Sequence, residues 1–256
     1  MVKFILIALI FFCSSASASE SPIVAIAANM THAMTDIIDQ FQVETGNHIR
    51  VSYGSSGNFT RQLLQGAPYE LFIAAHKKYA DKLVEKTNIV DASMPYVSGK
   101  IGLFIPNDSK LSESMDLETT INALGFEKKS RIVIANPEHA PYGVAAKQAL
   151  QHAGVWPLIH KRLLRAENAA QATQFTVSGG VDIGIIPYSL AVVPEISRQG
   201  KFLLIPESWH QPLEHHLVLI NGAGKTVKKF YDYLLSDRTK KILTKYGYSI
   251  PTNRQE

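Results

Sequence analysis

Short apolar runs alternate with longer stretches of helical period from Pro22 to the C-terminus. The runs at 23–28, 49–53, 71–75, 101–105, 131–135, 181–186, 202–205 and 216–220 have the length and composition of strands. Between them, Met30, Ala33, Met34, Ile37, Ile38 and Phe41 recur at the spacing of one helix face, as do Tyr142, Ala145, Ala146, Ala149, Leu150 and Ala153. Strands alternating with helices predict an α/β fold with mostly parallel sheets. Eight strands are many for one compact sheet, and the β-rich stretch from Gly99 to Pro106 offers a crossing into a second lobe. A return crossing fits between Pro206 and Leu219. The expected organisation is therefore two discontinuous lobes, residues 19–98 with 216–256 and residues 99–215, with a ligand cleft between them. The last segment, 226–246, reads as helix with a break at Ser236-Asp237 and a stop at Gly247.

The first eighteen residues follow a different pattern. Lys3 precedes an apolar run over 4–13, which is followed by the small residues 14–18. This is the layout of a secretory signal peptide cleaved after Ala18, and the run is too short for a membrane span of about 20 residues. An exported protein is expected. The single cysteine, Cys13, falls inside this leader, so the mature chain has no disulfide, cysteine-ligated zinc or thiol nucleophile. With 46% apolar and 19% charged residues the chain can bury a large core. Its net charge of +4 comes without the long basic runs of a nucleic-acid binder.

The candidate chemistry sits where strands give way to helices. Four such turns stand out: Ala27-Ala28-Asn29, Gly54-Ser55-Ser56-Gly57, Asn136 through Ala140-Pro141-Tyr142-Gly143, and Glu167-Asn168-Ala169. Each presents unpaired backbone N–H groups at the positive end of a helix, with amide or hydroxyl side chains beside them. Asn29, Ser56 and Asn168 are also suitable as ordinary N-caps. Two such turns from each half of the chain, converging on one cleft, would build an anion site made of donors alone. Such a site suits a fully ionised tetrahedral oxyanion, which has only acceptor oxygens, whereas protonated phosphate needs an acceptor as well. Glu138 and Glu167 are the acidic residues nearest these turns, and either one pointing inward would favour phosphate.

Taken in order, these turns together with Gly66-Ala67-Pro68 and Lys245-Tyr246-Gly247-Tyr248 resemble the periplasmic molybdate-binding proteins of ABC importers across nearly the whole mature chain. The resemblance implies a type II solute-binding fold, its two lobes joined by a hinge and closing over molybdate or tungstate, that uses no cofactor and delivers its ligand to a membrane permease. Monomer is the simplest expectation. It implies oxyanion donors at Ala28, Asn29, Ser56, Tyr142 and Ala169, with Ser55, Asn168 and Tyr188 as further candidates. Better-known members carry a tyrosine where this chain has Pro187, which has neither N–H nor hydroxyl, so Tyr142 or Tyr188 is the expected substitute.

Other chemistry is weaker. Gly222-Ala223-Gly224-Lys225-Thr226 lacks the first glycine of a P-loop, since Leu219 stands there. Gly54-Ser55-Ser56-Gly57 is not a G-x-S-x-G nucleophile turn, although a secreted serine hydrolase using Ser56 is the enzyme alternative. Sulfate or phosphate capture is the alternative among binding proteins. Adjacent His215 and His216 on a strand point to opposite faces and cannot chelate one ion together, so both are read as surface residues.

Overall fold

A computed structural model describes residues 21–86, 88–90, 92–111 and 116–251. The leader, with Cys13 and the cleavage site, lies outside the described residues. The first lobe opens with β1 (Ile23–Ala27), α1 (Thr31–Thr45), β2 (Arg50–Gly54), α2 (Ser56–Leu64), β3 (Tyr69–Ala74), α3 (Lys77–Lys86) and β4 (Met94–Gly99). After Lys100 come β5 (Ile101–Pro106), α4 (Leu117–Phe126), β6 (Ile132–Ala135), α5 (Pro141–His152) and α6 (Trp156–Ile159). They are followed by β7 (Leu163–Ala166), α7 (Ala169–Val177), β8 (Ile183–Pro187), α8 (Tyr188–Ala191), α9 (Pro194–Ser197) and β9 (Gly200–Leu204). The chain then returns through β10 (Leu213–Leu219), α10 (Lys225–Leu234) and α11 (Asp237–Lys245).

These strands form two five-stranded sheets, ordered β2-β1-β3-β10-β4 and β7-β6-β8-β5-β9. In each, the first three strands pair in parallel, while β10 or β5 pairs antiparallel with both of its neighbours. Four strands of each sheet thus share a direction and the one entering from the other lobe opposes them. The two lobes repeat one topology although the sequence shows no internal repeat. In this two-lobed α/β fold, β4 and β7 are the strands that the apolar pattern does not reveal.

The helices form where the apolar stripes place them. Ala33, Met34, Ile37 and Phe41 of α1 are buried, and Phe41 meets the Phe230 ring of α10 edge-on at a centroid distance of 5.1 Å. Burying a side chain of this size stabilises the fold by roughly 1.5–3 kcal/mol. On α5 the stripe from Tyr142 to Leu150 is buried in the core of the second lobe. The break between α10 and α11 falls at Ser236, whose hydroxyl accepts from the Thr239 amide. Gly247, at φ 78°, ends α11.

Because β1, β2 and β3 run in parallel, their carboxyl ends lie together at one edge of the sheet, the usual ligand position of α/β folds. The equivalent edge of the second sheet holds the ends of β6, β7 and β8. These two edges meet across the cleft.

Candidate functional site

A small cavity lies between the lobes. From the first lobe it is lined by Ala27, Ala28, Asn29, Gly54, Ser55, Ser56 and Ala75, and from the second by Ala140, Pro141, Tyr142 and Ala169. All four turns singled out in the sequence contribute, and no charged side chain is in the lining. Glu138 and Glu167 are largely exposed and turned elsewhere, Glu138 to Arg165 and Glu167 to Asn58 and His139.

The helix starts differ in one respect that matters. The 3-10 turn Ala28–Met30 leading into α1, and the starts of α2 and α5, carry no side-chain cap. At α2 the N-cap residue is Ser55, but its hydroxyl is bonded to His139 Nδ1 across the cleft at 2.9 Å. At α5 the cap position is Ala140, and Pro141 removes one N–H, so the first amide is that of Tyr142. A helix start without a cap leaves its amides to water or to a ligand. Only α7 of these four is capped, by Asn168 Oδ1 accepting from the Gln171 amide at 3.0 Å. Asn168 is therefore a cap residue, absent from the cavity lining, while Ala169 beside it lines the cavity.

Ser56 is fully buried, and its Oγ accepts from the Ala75 amide at 2.9 Å. That bond uses a lone pair and leaves the hydroxyl proton for a donor role. Asn29 is also buried, but its side-chain amide is engaged in the protein. Nδ2 contacts His215 Nε2 and the Tyr248 hydroxyl at 2.7 Å each and the Tyr142 hydroxyl at 3.1 Å. What Asn29 offers the cavity is its backbone at the start of the turn. Burial pushes the Tyr142 and Tyr248 hydroxyls up from their ordinary pKa, so both stay protonated.

Tyr188 does not line the cavity. Its amide donates to the Lys100 carbonyl at 2.9 Å, and its ring packs against Phe202 and into the space left by the missing side chain of Gly247. The hydroxyl lost at Pro187 thus has its substitute candidate in Tyr142, not in Tyr188. The histidine pair also needs correction. His215 and His216 do point to opposite faces, but both are buried because β10 is an inner strand with its two faces covered. His215 turns toward Asn29, whereas His216 contacts Ser93 and Glu214. His215 Nδ1 donates to the Leu213 carbonyl at 3.1 Å, so Nε2 is the acceptor facing Asn29. Burial holds this ring neutral, with its pKa lowered to about 4. His215, Ser189 and Tyr248 were not among the sequence candidates. Tyr248 stood in a motif that carried the resemblance and His215 was weighed only as half of a histidine pair, while nothing in the sequence marked Ser189. Among the described residues no cluster of three or more His, Cys, Asp or Glu is placed to hold a metal ion, and no helix is long and apolar enough to cross a membrane.

The profile of the bacterial extracellular solute-binding proteins matches residues 23–249. The molybdate-binding protein ModA of Escherichia coli is 32% identical over 226 residues, covering 88% of this chain and 87% of its own. ModA of Azotobacter vinelandii is 31% identical over 230 residues, 89% of each chain. The solved structure of a periplasmic molybdate-binding protein from Azotobacter vinelandii superposes with a TM-score of 0.80 at 24% identity, covering 90% of this chain and 100% of that one. The sulfate-binding protein SubI of Mycobacterium tuberculosis shares the fold, with a TM-score of 0.70 at 16% identity over 90% of this chain and 86% of its own. The resemblance carried by the turn motifs is thus met by whole-chain similarity, and the chain belongs to the family of bacterial extracellular solute-binding proteins that includes the ModA proteins.

Proposed function

We propose that this protein captures molybdate in the periplasm, accepts tungstate as well, and delivers either to the permease of an ABC importer, acting as a monomer without covalent chemistry. The observation that carries this reading is the meeting of three uncapped helix starts, two from one lobe and one from the other, around a small cavity without a carboxylate. Backbone amides at Ala28, Asn29, Ser56, Tyr142 and Ala169 and the hydroxyl of Ser56 are the donors assigned to the ligand. The Tyr142 hydroxyl accepts from Asn29 and keeps its own proton for donation. Ser55 lines the cavity but spends its hydroxyl on His139. The part of the chain around the β2-β1-β3-β10-β4 sheet, which takes in β10 from Leu213 and with it His215, and the part around the β7-β6-β8-β5-β9 sheet act as the two closing bodies.

Each hydrogen bond to a charged ligand contributes about 1.5–3 kcal/mol net, so several together offset the desolvation of a dianion and reach the roughly 8 kcal/mol of micromolar binding. Without a lysine or arginine in the lining, sulfate and molybdate differ for this site in size alone. The whole-chain similarity to ModA proteins favours the larger ion. Hydrolysis at Ser56 lacks a base, since its hydroxyl accepts from the Ala75 amide and His139, reaching over from the other lobe, bonds Ser55 instead.

Thermal unfolding in the presence of molybdate, tungstate, sulfate and phosphate tests the assignment, because a ligand bound only by the folded state raises the midpoint with its concentration. A rise with molybdate and tungstate alone supports it. A rise with sulfate or phosphate of equal size, or none with molybdate, overturns it.

A further inference from the structure

Next to the cavity, sharing Asn29 and Tyr142 with its lining and adding His215, Tyr248 and Ser189 from outside it, is a buried polar cluster joining the lobes. On the first-lobe side, the amide of Asn29 is held by His215 Nε2 and by the Tyr248 hydroxyl, which also donates to the Asn29 carbonyl at 3.0 Å. Two contacts reach it from the second lobe. The Ser189 hydroxyl donates to that same carbonyl at 2.8 Å, and the Tyr142 hydroxyl stands 3.1 Å from Asn29 Nδ2, sharing its two N–H groups with His215 and Tyr248. The Tyr142 hydroxyl is seated in a notch at Gly99, beside the crossing strand, which any side chain at that position would fill.

We infer that these groups form an interlobe clasp, in which His215 and Tyr248 are positioning residues that hold Asn29 ready, and Ser189 and Tyr142 close on it, so that the clasp sets how long the bound oxyanion is retained. This rests on the oxyanion-binding reading above and adds residues that need not touch the ligand. The reasoning is one of partition between lobes. The bonds from His215 and Tyr248 to Asn29 lie within the first lobe and persist when the cleft opens. Those from Ser189 and Tyr142 exist only when it is shut. Opening strips their partners from groups that are otherwise buried, and each lost partner favours the closed form. Such contacts act on release more than on capture, since they form after encounter. The neutral His215 ring matters because only a deprotonated Nε2 accepts from Asn29, fixing the orientation in which Asn29 meets the second lobe.

The test measures molybdate dissociation by chase in a stopped-flow instrument, and the distance between spin labels on Gln62 and Arg165, one in each lobe, with and without molybdate. Ser189→Ala is expected to release molybdate about five times faster with an unchanged association rate. His215→Leu is expected to do so about tenfold faster, and His215→Gln, whose side-chain oxygen accepts from Asn29, to return within about twofold of the native rate. A structural role for His215 alone would lower the unfolding midpoint of both variants without separating their release rates. Gly99→Ala, which expels the Tyr142 hydroxyl, is expected to shift the label distances toward the open form even without ligand. Native-like release in Ser189→Ala and His215→Leu overturns the clasp. If the native protein fails to bind molybdate, the functional reading falls. The ligand-free distances then decide the clasp by themselves, an unchanged distribution in Ser189→Ala and Gly99→Ala overturning it.

Discussion

The Gly57 amide of the first lobe donates to the His139 carbonyl of the second at 2.8 Å, and a Cβ on Gly57 would stand 2.7 Å from that oxygen and 2.9 Å from the His139 Cα. The glycine beside the Ser55-Ser56 turn therefore serves the approach of the other lobe's backbone. Gly57→Ala is expected to hold the cleft ajar and weaken molybdate binding at least tenfold in calorimetry. Alanine is the better helix former by up to about 1 kcal/mol, and Gly57 lies in the first turn of α2. The ligand-free variant should then unfold at the same temperature as the native chain or higher. Full affinity in the variant would mean that binding does not bring these backbones together.

Ser56 gives the opposite combination, a loss of both affinity and stability. Its Oγ accepts from the Ala75 amide, with the proton left for the ligand. In Ser56→Ala one charge-assisted bond disappears, which weakens molybdate binding about tenfold or more, and the Ala75 amide loses its acceptor at a cost of about 1–3 kcal/mol. Calorimetric titration with molybdate and urea unfolding of the ligand-free chain separate the two effects. Unchanged affinity would remove Ser56 from the ligand shell.

The apolar pattern conveyed the six inner strands because they are rich in Val, Ile and Leu, and the edge strands β2 and β9 through shorter apolar runs. It missed β4, where Pro95 and Ser98-Gly99 interrupt the run, and β7, a four-residue edge strand whose middle residues, Leu164 and Arg165, face solvent. The four turns were legible because a helix start is a local feature, readable from a few adjacent residues. What those turns bond to was not. The partners of Asn29 lie 113 to 219 residues away in sequence, and no local rule distinguishes a side chain that caps its own helix, as Asn168 does, from one captured by a distant ring. The burial of His215 and His216 was hidden for the same reason, since alternation assigns faces but not what covers them.

Asn168 supplies the contrasting case to Ser56. Its side chain caps α7 and is absent from the cavity lining, so Asn168→Ala is expected to cost about 1 kcal/mol of folding stability while leaving molybdate affinity within about twofold. Chemical unfolding and calorimetry on the same preparation check both halves. A tenfold loss of affinity would place Asn168 against the ligand.

His215 makes stability depend on pH in a definite direction. In the folded chain its pKa is lowered to about 4 by burial, against 6.5 for the free side chain, so between these values the unfolded state binds the proton and the folded state does not. The stabilisation is full above the unfolded value, is lost as pH falls from about 7 toward 4, and levels off below the folded value. The span corresponds to about 3 kcal/mol from this one group. His76 and His216 are also lowered by burial and add to the same slope. Urea unfolding of the ligand-free protein between pH 7 and 4 should accordingly show a slope steeper than that of His215→Gln, which keeps the other two histidines. Equal slopes in the two proteins would mean that the proton taken up on unfolding belongs elsewhere, and that the ring facing Asn29 is not held neutral by its surroundings.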